Sequence, residues 1–346
     1  MKRMLVIAFV LAVCLGALSM HARAQLAPGC SLQFQFCALC GDPPIPGATC
    51  YQEITILSIC WVPICAPSNA PYESCQKCDK YGQPPAVGQP VNLATGNTYI
   101  EQSDLRVPGL GSGLTLVRTW NSRWPSSQSA SQVGMFGPNW RSTYEERVFL
   151  GSDNYMKYSR GDGSFWSFAY VGGSAGFTVV APAHGGSGAT ISMAQAPTTW
   201  TITFQDGEQR IFNNASGSLT SITDRNGNTT QVTYDGLNRL VTVTDPASRH
   251  LTFTYQSPTS RLVTGVSSDV GITLSYAYDG QNRLSQVTKQ DGTTLTFEYD
   301  SNSLITAVKD PDGKVLESHT YGSNSRGVTS SRALRVEAVT ISYPNP

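Results

Sequence analysis

Charge is scarce in this chain. Asp, Glu, Lys and Arg make up only 14% of its 346 residues, and 24 basic residues balance 24 acidic ones. Nothing basic clusters along it, so the electrostatic footprint of a nucleic-acid-binding protein is missing and no nucleic-acid partner is expected. Histidine is rarer still, confined to His21, His184, His250 and His319. None of them has a second histidine or a carboxylate at metal-ligand spacing, and no phosphate-binding loop occurs. The expectation is a non-enzymatic protein without catalytic residues, cofactor or bound metal. Beyond the first two dozen residues no apolar run approaches the roughly 20 residues that a membrane-spanning helix needs. Cysteine is absent from Asp79 to the end.

What is present at the start is a targeting segment. Lys2 and Arg3 precede an almost unbroken apolar run from Met4 to Leu18, and His21-Ala22-Arg23-Ala24 supplies an Ala-x-Ala ending. Residues 1–24 therefore read as a secretory signal peptide cleaved between Ala24 and Gln25. A permanent anchor would need a longer run, and a lipoprotein reading on Cys14 meets Val13, too large for the residue that precedes a lipidated cysteine. Export to the periplasm, the cell surface or the medium is the expected localisation. Loss of Lys2, Arg3 and Arg23 leaves 21 basic residues against 24 acidic ones, a net charge of −3.

The mature chain then opens on a cysteine cluster over 25–85: Cys30, Cys37, Cys40, Cys50, Cys60, Cys65, Cys75 and Cys78. An even number in a short, proline-rich, exported segment reads as a disulfide-stapled module, because so small a stretch buries too little apolar area to hold itself together. The pairs Cys37–Cys40 and Cys75–Cys78 keep a zinc or redox alternative open. The connectivity is not readable from spacing.

From about residue 205 to 325 self-similarity takes over, with a period of about 22 residues. Phe212, Tyr234, Tyr255, Tyr278, Tyr299 and Tyr321 occupy equivalent places, and Asp235, Asp279 and Asp300 follow directly after three of the tyrosines. Gly236-Leu237-Asn238-Arg239-Leu240 aligns with Gly280-Gln281-Asn282-Arg283-Leu284 and with the stretch Ser301 to Leu304. Thr230-Gln231-Val232-Thr233-Tyr234 alternates as a half-buried strand does. Leu240-Val241-Thr242-Val243-Thr244 is β-branched and returns as a second strand. Turn residues join them, so one unit is a hairpin, and neighbours must stack to bury its apolar face.

Tyr278-Asp279-Gly280-Gln281-Asn282-Arg283-Leu284 and Tyr234-Asp235-Gly236-Leu237-Asn238-Arg239-Leu240 resemble the Tyr-Asp-x-x-Gly-Arg-Leu core of the bacterial Rhs or YD-repeat family. Asn238 and Asn282 stand where glycine is usual, and Asn tolerates the left-handed conformation needed there. Residues 86–170 carry a second resemblance, to the domain that precedes such repeats. It rests on Gly88-Gln89-Pro90-Val91-Asn92, on Leu116-Val117-Arg118-Thr119-Trp120-Asn121-Ser122 and on Gly134 to Trp140. The resemblance implies tandem hairpins in a spiralling antiparallel sheet preceded by a β-rich domain, so the fold expected is all-β, with the small cysteine module ahead of it. Residues 171–204 read as a Gly/Ala/Ser-rich connection with strands, and 326–346 as a tail or a truncated repeat. Relatives that deliver toxins carry more repeats and a further toxic domain. The expected partners are therefore a cell-envelope glycan or protein, further Rhs repeats, or a toxin chain.

Three other readings remain. Trp120, Trp124, Trp140 and Trp166 fit either a sugar-stacking platform or the core of a sheet. The Asp-Gly carboxylates fit turns better than a paired-acid glycosidase or a calcium ladder. Arg141 to Leu150 reads as one continuous strand.

Overall fold

The computed structural model describes the strand backbones of residues 30–37, 49–50, 58–65 and 86–87, and residues 91–343 apart from 94, 112, 124–132, 152–155, 169, 172–177, 180–188, 196–197 and 334–337. The expected signal peptide, Cys40, Cys75, Cys78, Trp124 and His184 lie outside the described residues. The chain divides into two compact units, Met1–Asn69 and Ala70–Pro346. In the first, Cys30–Cys37, Ser58–Cys65 and Thr49–Cys50 form a three-stranded antiparallel sheet in that order. Its register sets Cys30 opposite Cys65 and Cys50 opposite Cys60. Side chains there are outside the described part, so the disulfide expectation stands apart from it.

The second unit is all-β, with a short 3-10 turn at Ser323–Ser325. Its main feature is a 15-stranded sheet in which every strand pairs with its sequence neighbours, from Thr190–Gln195 to Val339–Thr340. Purely local pairing of this kind is what tandem hairpins produce, since each turn returns the chain beside the strand it has just left. The sheet thus starts before the repeat motif and runs past it at both ends.

Alternation sorts the side chains of each strand. Val232, Leu251, Phe253, Leu274, Tyr276 and Phe297 point inward and are buried, while Gln231, Thr252, Thr254 and Ser275 face outward. Burying a side chain such as Phe297 stabilises by roughly 1.5–3 kcal/mol, and a hairpin by itself has nothing to bury it against. Here the inner face packs on the domain that precedes the repeats.

That domain holds the long hairpin Tyr99–Val107 and Leu114–Asn121, extended by Trp140–Ser142, and a second sheet of Arg147–Leu150, Met156–Ser159 and Phe165–Phe168. Leu114, Leu116, Arg118 and Trp120 share one fully buried face. The expectation of one strand from Arg141 to Leu150 is corrected. Glu145 N donates to Ser142 O at 3.0 Å and closes a turn, so Trp140–Ser142 and Arg147–Leu150 belong to different sheets. Of the two readings of the tryptophans, the core of a sheet is the one that holds. Trp120, Trp140 and Trp166 are at most 3% exposed and serve as core.

Candidate functional site

The repeat-motif residues come together at one end of each hairpin, where one turn design recurs. In Asp279 to Leu284, Asp279 N donates to Arg283 O and Asn282 N to Asp279 O, both at 2.9 Å. Asn282 sits at φ 59, the left-handed position. The Asp279 carboxylate accepts from Gln281 N and Arg283 N at 2.9 Å and from Arg283 Nε at 2.6 Å. Asp235 repeats the pattern, accepting from Leu237 N and Arg239 N at 2.9 Å and from Arg239 Nε at 2.7 Å. Asp300 accepts from Asn302 N at 2.8 Å and Leu304 N at 2.9 Å, with Ser303 at φ 63. In that unit Leu304 therefore occupies the arginine place and Ile305 the leucine place, one residue later than the sequence alignment sets them.

Asp235 and Asp279 are held ionised by these donors. Asp235 is kept below the usual range first by the Arg239 N–H, against burial. For Asp279 burial opposes ionisation, and the Arg283 backbone and guanidinium overcome it. Such turn carboxylates are fully occupied in fixing the main chain.

The tyrosines couple one hairpin to the next. Tyr234 donates its hydroxyl to Leu219 O at 2.8 Å, Tyr255 to Leu240 O at 2.7 Å and Tyr278 to Val263 O at 2.6 Å. Tyr299 donates to Leu284 O at 2.8 Å and Tyr321 to Ile305 O at 2.6 Å. Burial raises the pKa of all five phenols. Each turn arginine also lies over the next tyrosine, Arg239 over Tyr255 at 4.5 Å and Arg283 over Tyr299 at 4.7 Å, a cation–π contact worth about 0.5–1 kcal/mol where exposed. Phe212 is buried in the aromatic cluster with Tyr158, ring centroids 5.7 Å apart.

One repeat tyrosine was missed. Tyr343 donates to Gly327 O at 2.8 Å and lies under Arg326 at 5.1 Å. It follows Tyr321 by the same period, and that spacing was the available signal. Tyr321 to Gly327 is thus another motif, with Gly322 in the aspartate place and Ser325 left-handed at φ 57.

Beneath the array lies a buried polar core that periodicity does not reveal. Arg118 pairs with Asp104 through Nε and, at 2.8 Å, through Nη2, and Tyr276 donates to the same carboxylate at 2.8 Å. Burial works to lower the Arg118 pKa, and Asp104 outweighs it. The guanidinium lies 4.7 Å from the Trp140 ring and 5.4 Å from Phe136 and Tyr276. A second group joins Glu146 to Arg210 and, at 2.6 Å, to the Tyr158 hydroxyl. Both groups tie the preceding domain to the sheet.

Two family models match this chain: the RHS Repeat at residues 214–250 and 278–315, and a domain of unknown function, DUF6531, at residues 88–168. The chain thus carries the repeat of the Rhs, or YD-repeat, family. Its RHS repeats and the DUF6531 match coincide with the array and the packed domain described above. Among curated relatives, the tRNA nuclease WapA of Bacillus subtilis (strain 168) is 30% identical over 150 residues, 43% of this chain. The tRNA3(Ser)-specific nuclease WapA of Bacillus spizizenii (strain DSM 15029 / JCM 12233 / NBRC 101239 / NRRL B-23049 / TU-B-10) gives the same figures. The matched part spans 6% of either relative. Among solved structures, that of TcdB2-TccC3-Cdc42 is 14% identical, covering 68% of this chain and 12% of the other with a TM-score of 0.28. That of TcdB2-TccC3 is 14% identical over 70% and 12%, with a TM-score of 0.27.

No group of three or more His, Cys, Asp or Glu side chains gathers as a metal site among the described residues. His250 is exposed and shares a 3.0 Å hydrogen bond with Thr244. His319 is 2% exposed on the inner row, 3.5 Å from Glu317.

Proposed function

We propose that this RHS-repeat chain is an exported scaffold that binds a cell-envelope partner and performs no catalysis itself. The observation that carries the reading is how the motif residues are used. Asp235, Asp279 and Asp300 hold turns, Arg239 and Arg283 neutralise two of those carboxylates and stack on tyrosines, and the tyrosines join hairpins. These recurring polar groups are committed to the fold, which is the role of a scaffold.

The surface offered to a partner is the outer face of the sheet, where Thr233, Thr252, Ser275 and Thr320 stand exposed. Glu298 and Lys309, charged residues of that face, pair with each other at 2.5 Å. A nearly uncharged lattice of hydroxyls suits a neutral polyhydroxylated polymer. The test is retention of the secreted chain on purified envelope glycan and on envelope proteins. Retention on neither would sink the reading.

A second reading is favoured by one finding, the 150-residue likeness to relatives named as tRNA nucleases. In it the chain forms part of the shell of a toxin-delivery system and associates with further repeats or a toxin chain. Co-purification of a growth-inhibiting polypeptide with the native protein would support it, and a single-component native protein would count against it.

A further inference from the structure

The repeats are not equal, and their backbone departures from the motif fall where the preceding domain touches them. In the first turn, Gly217 takes the left-handed place that Asn238 and Asn282 hold elsewhere. Val148 N donates to Gly217 O at 2.8 Å and Leu219 N to Glu146 O at 3.2 Å, so the domain's chain bridges onto this turn. A Cβ at residue 217 would collide with the backbone oxygen of Val148. Further along, the turn closed by Gln256 N and Leu262 O is two residues longer than the one closed by Asp235 N and Arg239 O, and directly after it Val263 N donates to Met135 O at 2.9 Å. This lengthened turn lies in the gap between the two RHS matches, which end at 250 and resume at 278. In the last turn, Gly327 stands where Leu240, Leu284 and Ile305 stand in other units. Its N–H donates to Gly96 O at 2.8 Å, and Ser122 Oγ donates to Ser325 O at 2.9 Å. A Cβ on Gly327 would collide with Thr98 Oγ1 and lie 3.1 Å from Val91.

The regular turn Asp279–Leu284 also meets the domain, and there the glycine is on the other side. Gly137, at φ +96, approaches Asn282 O. By contrast a Cβ on Gly236 or Gly280 would have nothing within 4 Å. The turns whose backbone departs from the motif are therefore ones that the domain touches, although the touched turn Asp279–Leu284 keeps the motif.

We propose that Gly217, the lengthened turn 256–262 and Gly327 are docking notches that fix the preceding domain at one register across the array. The domain thereby acts as a ruler for the number of repeats between Gly217 and Gly327. An ordinary repeat array accepts or loses a unit with only nearest-neighbour consequences. This one is braced from the first turn to the last by a body of fixed length, so an added unit moves one notch out of reach. The partner of this inner surface is the chain's own DUF6531 domain, independent of whichever ligand the outer face binds.

The test is amide hydrogen exchange on the full chain. Gly327→Ala should speed exchange in residues 91–98 at least about tenfold while leaving the hairpins of residues 229–244 protected. Gly236→Ala and Gly280→Ala, made as controls, should change nothing there. Thr98→Ala in the Gly327→Ala background should restore protection, as expected for two residues in contact. Separately, duplicating Asp279–Tyr299 should keep the strands but free either residues 91–98 or residues 146–148. The proposal is overturned if Gly327→Ala matches the controls, if Thr98→Ala fails to rescue it, or if the duplicated chain keeps both segments protected.

Discussion

Tyr299 donates its hydroxyl to the main-chain oxygen of Leu284, 15 residues earlier, at 2.8 Å, and receives Trp140 Nε1 at 3.4 Å on its other side. One phenol thus joins two hairpins and the domain beneath them. Replacing Tyr299 with Phe keeps the ring and removes the donor, leaving a carbonyl oxygen short of a partner. A loss of about 1–2 kcal/mol is expected, read as a lower urea midpoint with an unchanged slope.

The turn aspartates set the acid limb of stability. An unfolded Asp titrates near ~3.9, and Asp235 and Asp279 lie below their usual value in the fold. In the interval between, the unfolded chain binds more protons. Stability therefore rises with pH through that interval and is lost as pH falls through the folded values. Asp279→Asn should flatten this limb when urea midpoints are followed from neutral pH down into the acid range.

Arg118 and Asp104 form a buried pair whose halves are not separable. Asp104→Asn leaves a guanidinium without its counter-charge among Trp140, Phe136 and Tyr276, and a cost of about 3–5 kcal/mol is expected. Arg118→Met combined with Asp104→Leu should cost less than either single change, measured by chemical denaturation.

Phe297 packs edge-on against Trp140 at 5.3 Å and is 3% exposed. Phe297→Ala should cost about 3–5 kcal/mol through the cavity it leaves, with a red-shifted tryptophan emission as Trp140 gains water.

The proposed export predicts that mass analysis of the mature chain finds Gln25, free or cyclised, as its first residue. Alkylation without reductant should leave Cys30, Cys37, Cys40, Cys50, Cys60, Cys65, Cys75 and Cys78 unlabelled. Labelling in the absence of chelator and of reductant would favour free thiols, and labelling only after chelation would favour zinc.

The sheet was legible because its determinants are local. Alternation in Thr230 to Tyr234, turn chemistry at Asp279 to Leu284 and the period linking Tyr278 to Tyr299 all lie within one or two hairpins. Arg118 with Asp104 was not legible, since the strands carrying them resemble any alternating strand and the aromatic box is closed by Tyr276 and Phe297 from far along the chain. Arg141 to Leu150 misled because its β-rich composition hides the turn that Glu145 makes with Ser142. Gly327 fell in the stretch read as a tail or a truncated repeat, and only its neighbours Val91 and Thr98 show why a side chain is excluded there.

The tyrosine links all point the same way, each from a later residue to an earlier carbonyl. A nascent hairpin is therefore never finished by its own residues. It waits for the tyrosine of the following unit, 15 or 16 residues further on, to leave the ribosome or the translocon. Assembly in this array has a built-in direction of travel: a circular permutant beginning at Asp279 keeps that direction but completes Leu284 through Tyr299 before Val263 and its partner Tyr278 have emerged.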